Sequence, residues 1–89
     1  MLMMIERTVM LKNANGLHAR PAALLVQKAS AFPCEITLRK GDKQANAKSI
    51  MSVIALGIGP NEQLTIVAAG EQAAEALQVI GDFLEALTE

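Results

Sequence analysis

From residue 34 to residue 40 the chain alternates, with Cys34, Ile36 and Leu38 on one side and Glu35, Thr37 and Arg39 on the other. A period of two is that of a strand with one buried face. The run leads into Gly41-Asp42, a pair suited to a two-residue hairpin turn with Gly at its first central position. Residues 43 to 48 then return with only Ala45 and Ala47 on the inner side. A return strand that weak belongs at a sheet edge, where Lys43 and Lys48 would discourage further pairing. The hairpin commits the chain to an antiparallel sheet with one face to cover.

The covering elements follow from a second period. Ala22, Leu25, Val26, Ala29 and Phe32 recur at spacings of three and four, which predicts a helix over 19–31. Pro21 falls in its first turn, where the missing N–H would have had no intrahelical partner, and Pro33 bars its continuation. A final helix over 71–87 carries Ala73, Leu77, Ile80, Phe83, Leu84 and Leu87 on one face, with Glu71 and Glu75 near its positive end. Gly81 inside it costs about 1 kcal/mol relative to Ala, a sacrifice that suits close packing on the sheet. Between them, a short helix over 50–56 starts at Ser49 as N-cap and stops at Gly57 in the left-handed region.

Two more strands complete the pattern. Residues 4–12 place Ile5, Val9 and Leu11 on one parity, with Arg7 interrupting. Residues 64–69 form a β-rich central strand ended by Gly70, preceded by the turn Gly59-Pro60-Asn61, whose Asn tolerates positive φ. The order is β-α-β-β-α-β-α. Four half-apolar strands and helices with one apolar face each predict an α+β fold, a two-layer open-faced sandwich with the helices on one face of an antiparallel sheet. The 89 residues suffice for one domain, 1–89.

Composition excludes several classes. With aromatics at 2% and neither Trp nor Tyr, bases have almost nothing to stack on. A net charge of −1 with scattered basic residues leaves no footprint for nucleic acid. Cys34 is the single cysteine, so no internal disulfide forms, which fits a reducing cytoplasm. The stretch from Met1 to Glu6 is too short and too soon charged for a signal peptide, and no apolar run approaches the ~20 residues that span a membrane. A lone His with no Cys pair or clustered carboxylates argues against a metal, and no cofactor is expected. An acyl carrier would need an Asp-Ser-Leu type attachment site, which Ser30, Ser49 and Ser52 lack.

The chemistry gathers at Gly16-Leu17-His18-Ala19-Arg20-Pro21, which holds the only histidine. His18 falls at or beside a helix N-cap, where outward amides and the helix dipole favour an anion. Arg20 adds a fixed charge and a fork of donors. An exposed imidazole there can take up a phosphoryl group, with Ala19 and Arg20 holding its oxygens. The same residues also describe a surface histidine capping a helix. Ser49 likewise reads as a helix cap or as a phosphorylation site, where added charge suits a helix N-terminus. Ile50, Met51, Val53 and Ile54 are too many apolar side chains for seven residues to bury. They form either a partner-docking patch or a greasy helix on the sheet.

Asn15-Gly16-Leu17-His18-Ala19-Arg20-Pro21-Ala22 resembles the active-site signature of HPr, the histidine-containing phosphocarrier family of the bacterial sugar phosphotransferase system. Ala47-Lys48-Ser49-Ile50-Met51-Ser52-Val53, followed by Leu56-Gly57-Ile58, resembles that family's second signature, around its regulatory serine. The resemblance covers about residues 4 to 87. It implies a sheet order 1-4-2-3, and a phosphotransfer intermediate rather than a stand-alone enzyme. His18 would accept a phosphoryl group on Nδ1 from phosphorylated enzyme I and pass it to IIA domains of sugar permeases, with Arg20 stabilising the group in transit. Ser49 would be the target of HPr kinase/phosphorylase, its phosphorylated form slowing sugar transport and serving a catabolite-control regulator as corepressor. Ile50, Met51 and Ile54 would dock these partners, with the protein a monomer.

Three positions depart from the family pattern: Asn61 where Gly is frequent, Gln72 where an acid is common, and Ser52 where Gly or a larger residue often stands on the partner-facing helix. Two neighbouring readings share the resemblance. One is a regulatory homologue acting through Ser49; paralogues of that kind often lack the histidine. The other is a carrier of the nitrogen-related phosphotransfer branch.

Overall fold

The computed structural model describes residues 4–88. Its elements run β1 (Met4–Met10), α1 (Ala19–Ser30), β2 (Glu35–Lys40), β3 (Lys43–Asn46), α2 (Ile50–Leu56), β4 (Gln63–Ala69) and α3 (Ala73–Glu85). The strands form one sheet in the order β1-β4-β2-β3, and every neighbouring pair is antiparallel. The helices cover one face and the other is open, so the fold is the expected open-faced sandwich. The reading of Met1–Met3 lies outside the described residues.

The hairpin forms as its turn residues require. Lys40 pairs with Lys43 across Gly41-Asp42, and Gly41 has φ +59°. Facing inward, Cys34, Ile36, Leu38, Ala45 and Ala47 are all buried. With Leu25, Ile66, Ile80 and Leu84 they make an aliphatic core, in which truncating any one Leu to Ala would cost about 2–5 kcal/mol. On the open face, Thr8 and Thr65 hydroxyls hydrogen-bond at 3.0 Å, and Arg39 pairs with Glu6.

Element ends differ from expectation for identifiable reasons. β1 stops at Met10 rather than residue 12, because its partner turns away: Asn61, at φ +62°, donates to the Leu11 carbonyl, and the Leu11 amide donates to the Glu62 carbonyl. β3 stops at Asn46 rather than residue 48. The Asn46 side chain accepts from the Lys48 amide, an Asx-type turn that ends the strand. Lys48 therefore does not guard the edge; its Nζ donates to the Phe32 carbonyl just past α1, leaving Lys43 to guard it. Phe32 lies beyond α1 and is still buried.

The final helix starts at Ala73 rather than residue 71. Gln72 takes φ +64° as its N-cap and forms no side-chain cap bond, so Glu71 lies outside the helix and Glu75 alone is acidic in the first turn. Ala76 and Gly81 join the buried face. Arg7, the polar interruption of β1, points under this helix: it donates to the Leu77 carbonyl and to Asp82 and Glu85. The Asp82 hydrogen bond foremost, with Glu85, raises the Arg7 guanidinium above its ordinary value despite some desolvation.

Candidate functional site

His18 is the N-cap of α1, with extended backbone (φ −91°, ψ −170°). Its carbonyl accepts from the Ala22 amide at 2.9 Å, which opens the helical ladder; the amides of Ala19 and Arg20 lie in the first turn, ahead of that ladder. The imidazole makes no cap hydrogen bond, so the helix-capping reading of this side chain is not what the structure contains. The ring is half-buried rather than exposed. Its Nε2 is sealed from solvent and has no hydrogen-bond partner. Ala19 and Arg20 are exposed, and Pro21 is buried. The first turn carries no acidic residue, so nothing there opposes an anion by charge.

The loop ahead of His18 is held from two sides. Asn13, the one buried polar side chain among the described residues, donates from Nδ2 to the Gly16 carbonyl at 2.7 Å. The Leu17 amide donates to the Ile58 carbonyl at 2.9 Å, and Leu17 itself is buried. Gly16 has φ +62°, and a Cβ there would lie 2.5 Å from the Ile58 carbonyl oxygen and 2.7 Å from the Gly59 Cα. Only glycine lets the two backbones meet so closely.

Residues 57–59 thus form a strap between α2 and the loop ahead of His18. Gly57 ends α2 in the left-handed region (φ +67°, ψ +53°) and donates to the Ile54 carbonyl. Lys40 Nζ donates to the Gly57 carbonyl at 2.8 Å and pairs with Glu62 at 2.9 Å. Glu62 Oε1 also accepts from the Gly59 amide. The Lys40 hydrogen bond foremost, then that of Gly59, holds the Glu62 carboxyl below its ordinary value of 4.5. Neither Lys40, Glu62 nor the Asn13 side chain stood out in the sequence. Asn13 with Gly16 three residues on is a local turn signal that could have found the third; the other two meet only through the fold.

Ser49 caps α2 as expected, its Oγ accepting from the Ser52 amide at 3.3 Å. Ser52 in turn accepts from the Asn46 amide through Oγ, tying α2 to the end of β3. Val53 and Leu56 face the core, while Ile50, Met51 and Ile54 are 38%, 75% and 43% exposed. α1 packs against α2, and Leu24 of α1 is exposed as well. Among the described residues, no helix is long and apolar enough to cross a membrane.

The family model for the PTS HPr component phosphorylation site matches residues 5–86. An HPr-like protein Crh of Halalkalibacterium halodurans is 43% identical over 82 residues, covering 92% of this chain and 98% of that protein. The phosphocarrier protein HPr of Bacillus anthracis superimposes with a TM-score of 0.87 at 42% identity, over 91% of this chain and 96% of its own. The Crh of Bacillus subtilis, described as a swapped, intertwined dimer, gives 0.77 at 35% identity over 96% and 98%. The strand order, the open sheet and the three helices are those of the small α+β open-faced sandwich that these structures share. The chain belongs to the HPr family.

Proposed function

We propose that this chain is a phosphocarrier that takes a phosphoryl group from phosphorylated enzyme I onto His18 and gives it to IIA domains of sugar permeases. The observation that carries the reading is the state of the His18 ring. It is positioned at the start of α1, it caps nothing, and its Nε2 is closed to solvent. With Nε2 closed off, Nδ1 is the ring nitrogen that this reading assigns to the phosphoryl group. The Nδ1 lone pair attacks phosphorus as the bond to the donor's leaving atom breaks, and the reverse step delivers the group onward. Ala19 and Arg20, in the first turn, offer main-chain donors and a guanidinium to the phosphoryl oxygens.

The rest of the surface fits such traffic. Ile50, Met51 and Ile54 supply an apolar landing zone for enzyme I and the IIA domains. Ser49, the N-cap of α2, is a place where HPr kinase/phosphorylase can add charge at a helix N-terminus. The phosphorylated form then presents a changed surface to permeases and to a catabolite-control regulator. We place the protein in the cytoplasm as a monomer needing no cofactor.

The test is a phosphoenolpyruvate assay with purified enzyme I on wild type and His18→Ala. An acid-labile, base-stable adduct is expected on wild type and none on the variant; equal labelling of both overturns the assignment. A second reading, a regulatory module acting through Ser49, is favoured by the likeness to HPr-like protein Crh. It predicts ATP-dependent kinase labelling at Ser49 without onward transfer to a IIA domain. His18 places it second. Complementation of strains lacking a sugar or a nitrogen branch carrier separates those two pathways.

A further inference from the structure

Two charged residues far from His18 in sequence converge on the backbone against which its loop rests. Lys40, at the end of β2, reaches the Gly57 carbonyl at 2.8 Å. Glu62, just before β4, takes the Gly59 amide on Oε1 and pairs with the same Lys40 at 2.9 Å. Between these two anchors lies Ile58, buried, whose carbonyl receives the Leu17 amide. Gly16 adds a backbone-on-backbone contact with Ile58 and Gly59 that leaves no room even for a methyl group. The strap therefore cannot shift without shifting the residue before His18.

We propose that Lys40 and Glu62 act as positioning residues for His18, fixing the angle at which its ring meets an incoming phosphoryl group through the strap 57–59. The inference rests on the phosphocarrier reading for its kinetic arm and not for its spectroscopic one. Both side chains are partly exposed, and such a pair adds little to stability; its yield is geometric. In-line transfer is intolerant of misplacement, and an error of about 1 Å in the reacting atom can cost on the order of a hundredfold in rate. Removing the carboxylate frees the Gly59 amide and breaks the Lys40 ion pair, while Lys40 keeps the Gly57 carbonyl. Glu62→Gln keeps an oxygen for the amide and loses only the ion pair, so the two substitutions dissect the device.

The first arm uses nuclear magnetic resonance of the unphosphorylated protein and needs no partner. In Glu62→Ala, the Leu17 amide is expected to exchange about tenfold faster and the His18 ring resonances to move, with Val9, Leu64 and Ile80 unchanged. Glu62→Gln should restore most of both. The second arm follows transfer from phosphorylated enzyme I. Glu62→Ala is expected to lower kcat about tenfold with KM within about twofold, and Glu62→Gln to recover kcat to within about threefold. Lys40→Met leaves the Glu62–Gly59 contact in place but removes both the ion pair and the anchor on the Gly57 carbonyl; it should lower kcat by about threefold or more and keeps the test open if Glu62→Ala fails to fold.

Unaltered Leu17 exchange and ring resonances in folded Glu62→Ala would overturn the proposal. So would a change confined to KM, or a Lys40→Met indistinguishable from wild type in both arms. If wild type takes no label from enzyme I, the phosphocarrier reading fails, and the magnetic resonance arm alone decides whether the strap governs His18.

Discussion

The guanidinium of Arg7 stands where a Cβ on Gly81 would be. An ideal Cβ at that helix position meets Arg7 Nη1 at 2.5 Å and Cζ at 2.6 Å. The glycine inside α3 is thus explained by a side chain from the sheet, rather than by the sheet backbone. In wild type, Gly81→Ala should gain about 1 kcal/mol of helix propensity and lose a similar amount by displacing Arg7 from the Leu77 carbonyl, Asp82 and Glu85. In an Arg7→Ala background the gain should stand alone, making the protein about 1 kcal/mol more stable. Urea unfolding followed by far-ultraviolet circular dichroism, run as a double-mutant cycle, measures the coupling.

Gly16 and Gly57 both have positive φ, but only one is enclosed. A Cβ on Gly57 meets nothing within 4 Å, so Gly57→Ala should cost only the left-handed penalty, about 1–2 kcal/mol. Gly16→Ala adds a collision with the Ile58 carbonyl and should cost more than about 3 kcal/mol. It should also slow labelling of an intact His18. Unfolding curves and the phosphoenolpyruvate assay, run on both variants, check the contrast.

Ser49→Ala removes the acceptor for the Ser52 amide and should cost about 1 kcal/mol, a fall in Tm of about 4–8 °C for a domain of this size. Ser49→Asp keeps an acceptor at the N-cap and adds charge at the favourable end, so its Tm should stay near wild type. A Ser49→Ala Tm equal to that of wild type would mean that the cap contributes nothing to stability.

Glu62 gives stability a small dependence on acid. Its carboxyl is held below 4.5 in the folded chain by Lys40 and Gly59. The sign follows from linkage: the contribution is fully present above the unfolded value and disappears as pH falls through the depressed folded one. The stability difference between wild type and Glu62→Gln should therefore be flat from about pH 6 to pH 7. It should shrink below 4.5 and vanish at lower pH. Urea titrations at a series of pH values measure it.

What could be read in the chain beforehand was what local signals carry. The hairpin at Gly41, the N-cap at Ser49, the stop at Gly57 and the positive φ at Asn61 each depend on residues within a few positions, and each stands where the pattern put it. The ends of β1 and β3 and the start of α3 depend on where a neighbour turns, where an Asn side chain intervenes and where Gln72 takes positive φ, and the pattern sets each two residues off. At the site, the place of His18 at the head of α1 was legible from Pro21 and the helical period. The half-burial of its ring was not, because it depends on tertiary packing. Lys40 and Glu62 read as ordinary surface charges until the fold brings them to opposite ends of the same three residues.

That shared strap has a consequence for recognition. The last turn of α2 and the stretch before His18 are bonded to one short piece of backbone, at Ile54 and at Leu17. On the proposed reading, a partner seated on α2 would meet an imidazole whose loop is already tied to that helix, and little ordering entropy would be spent on the encounter.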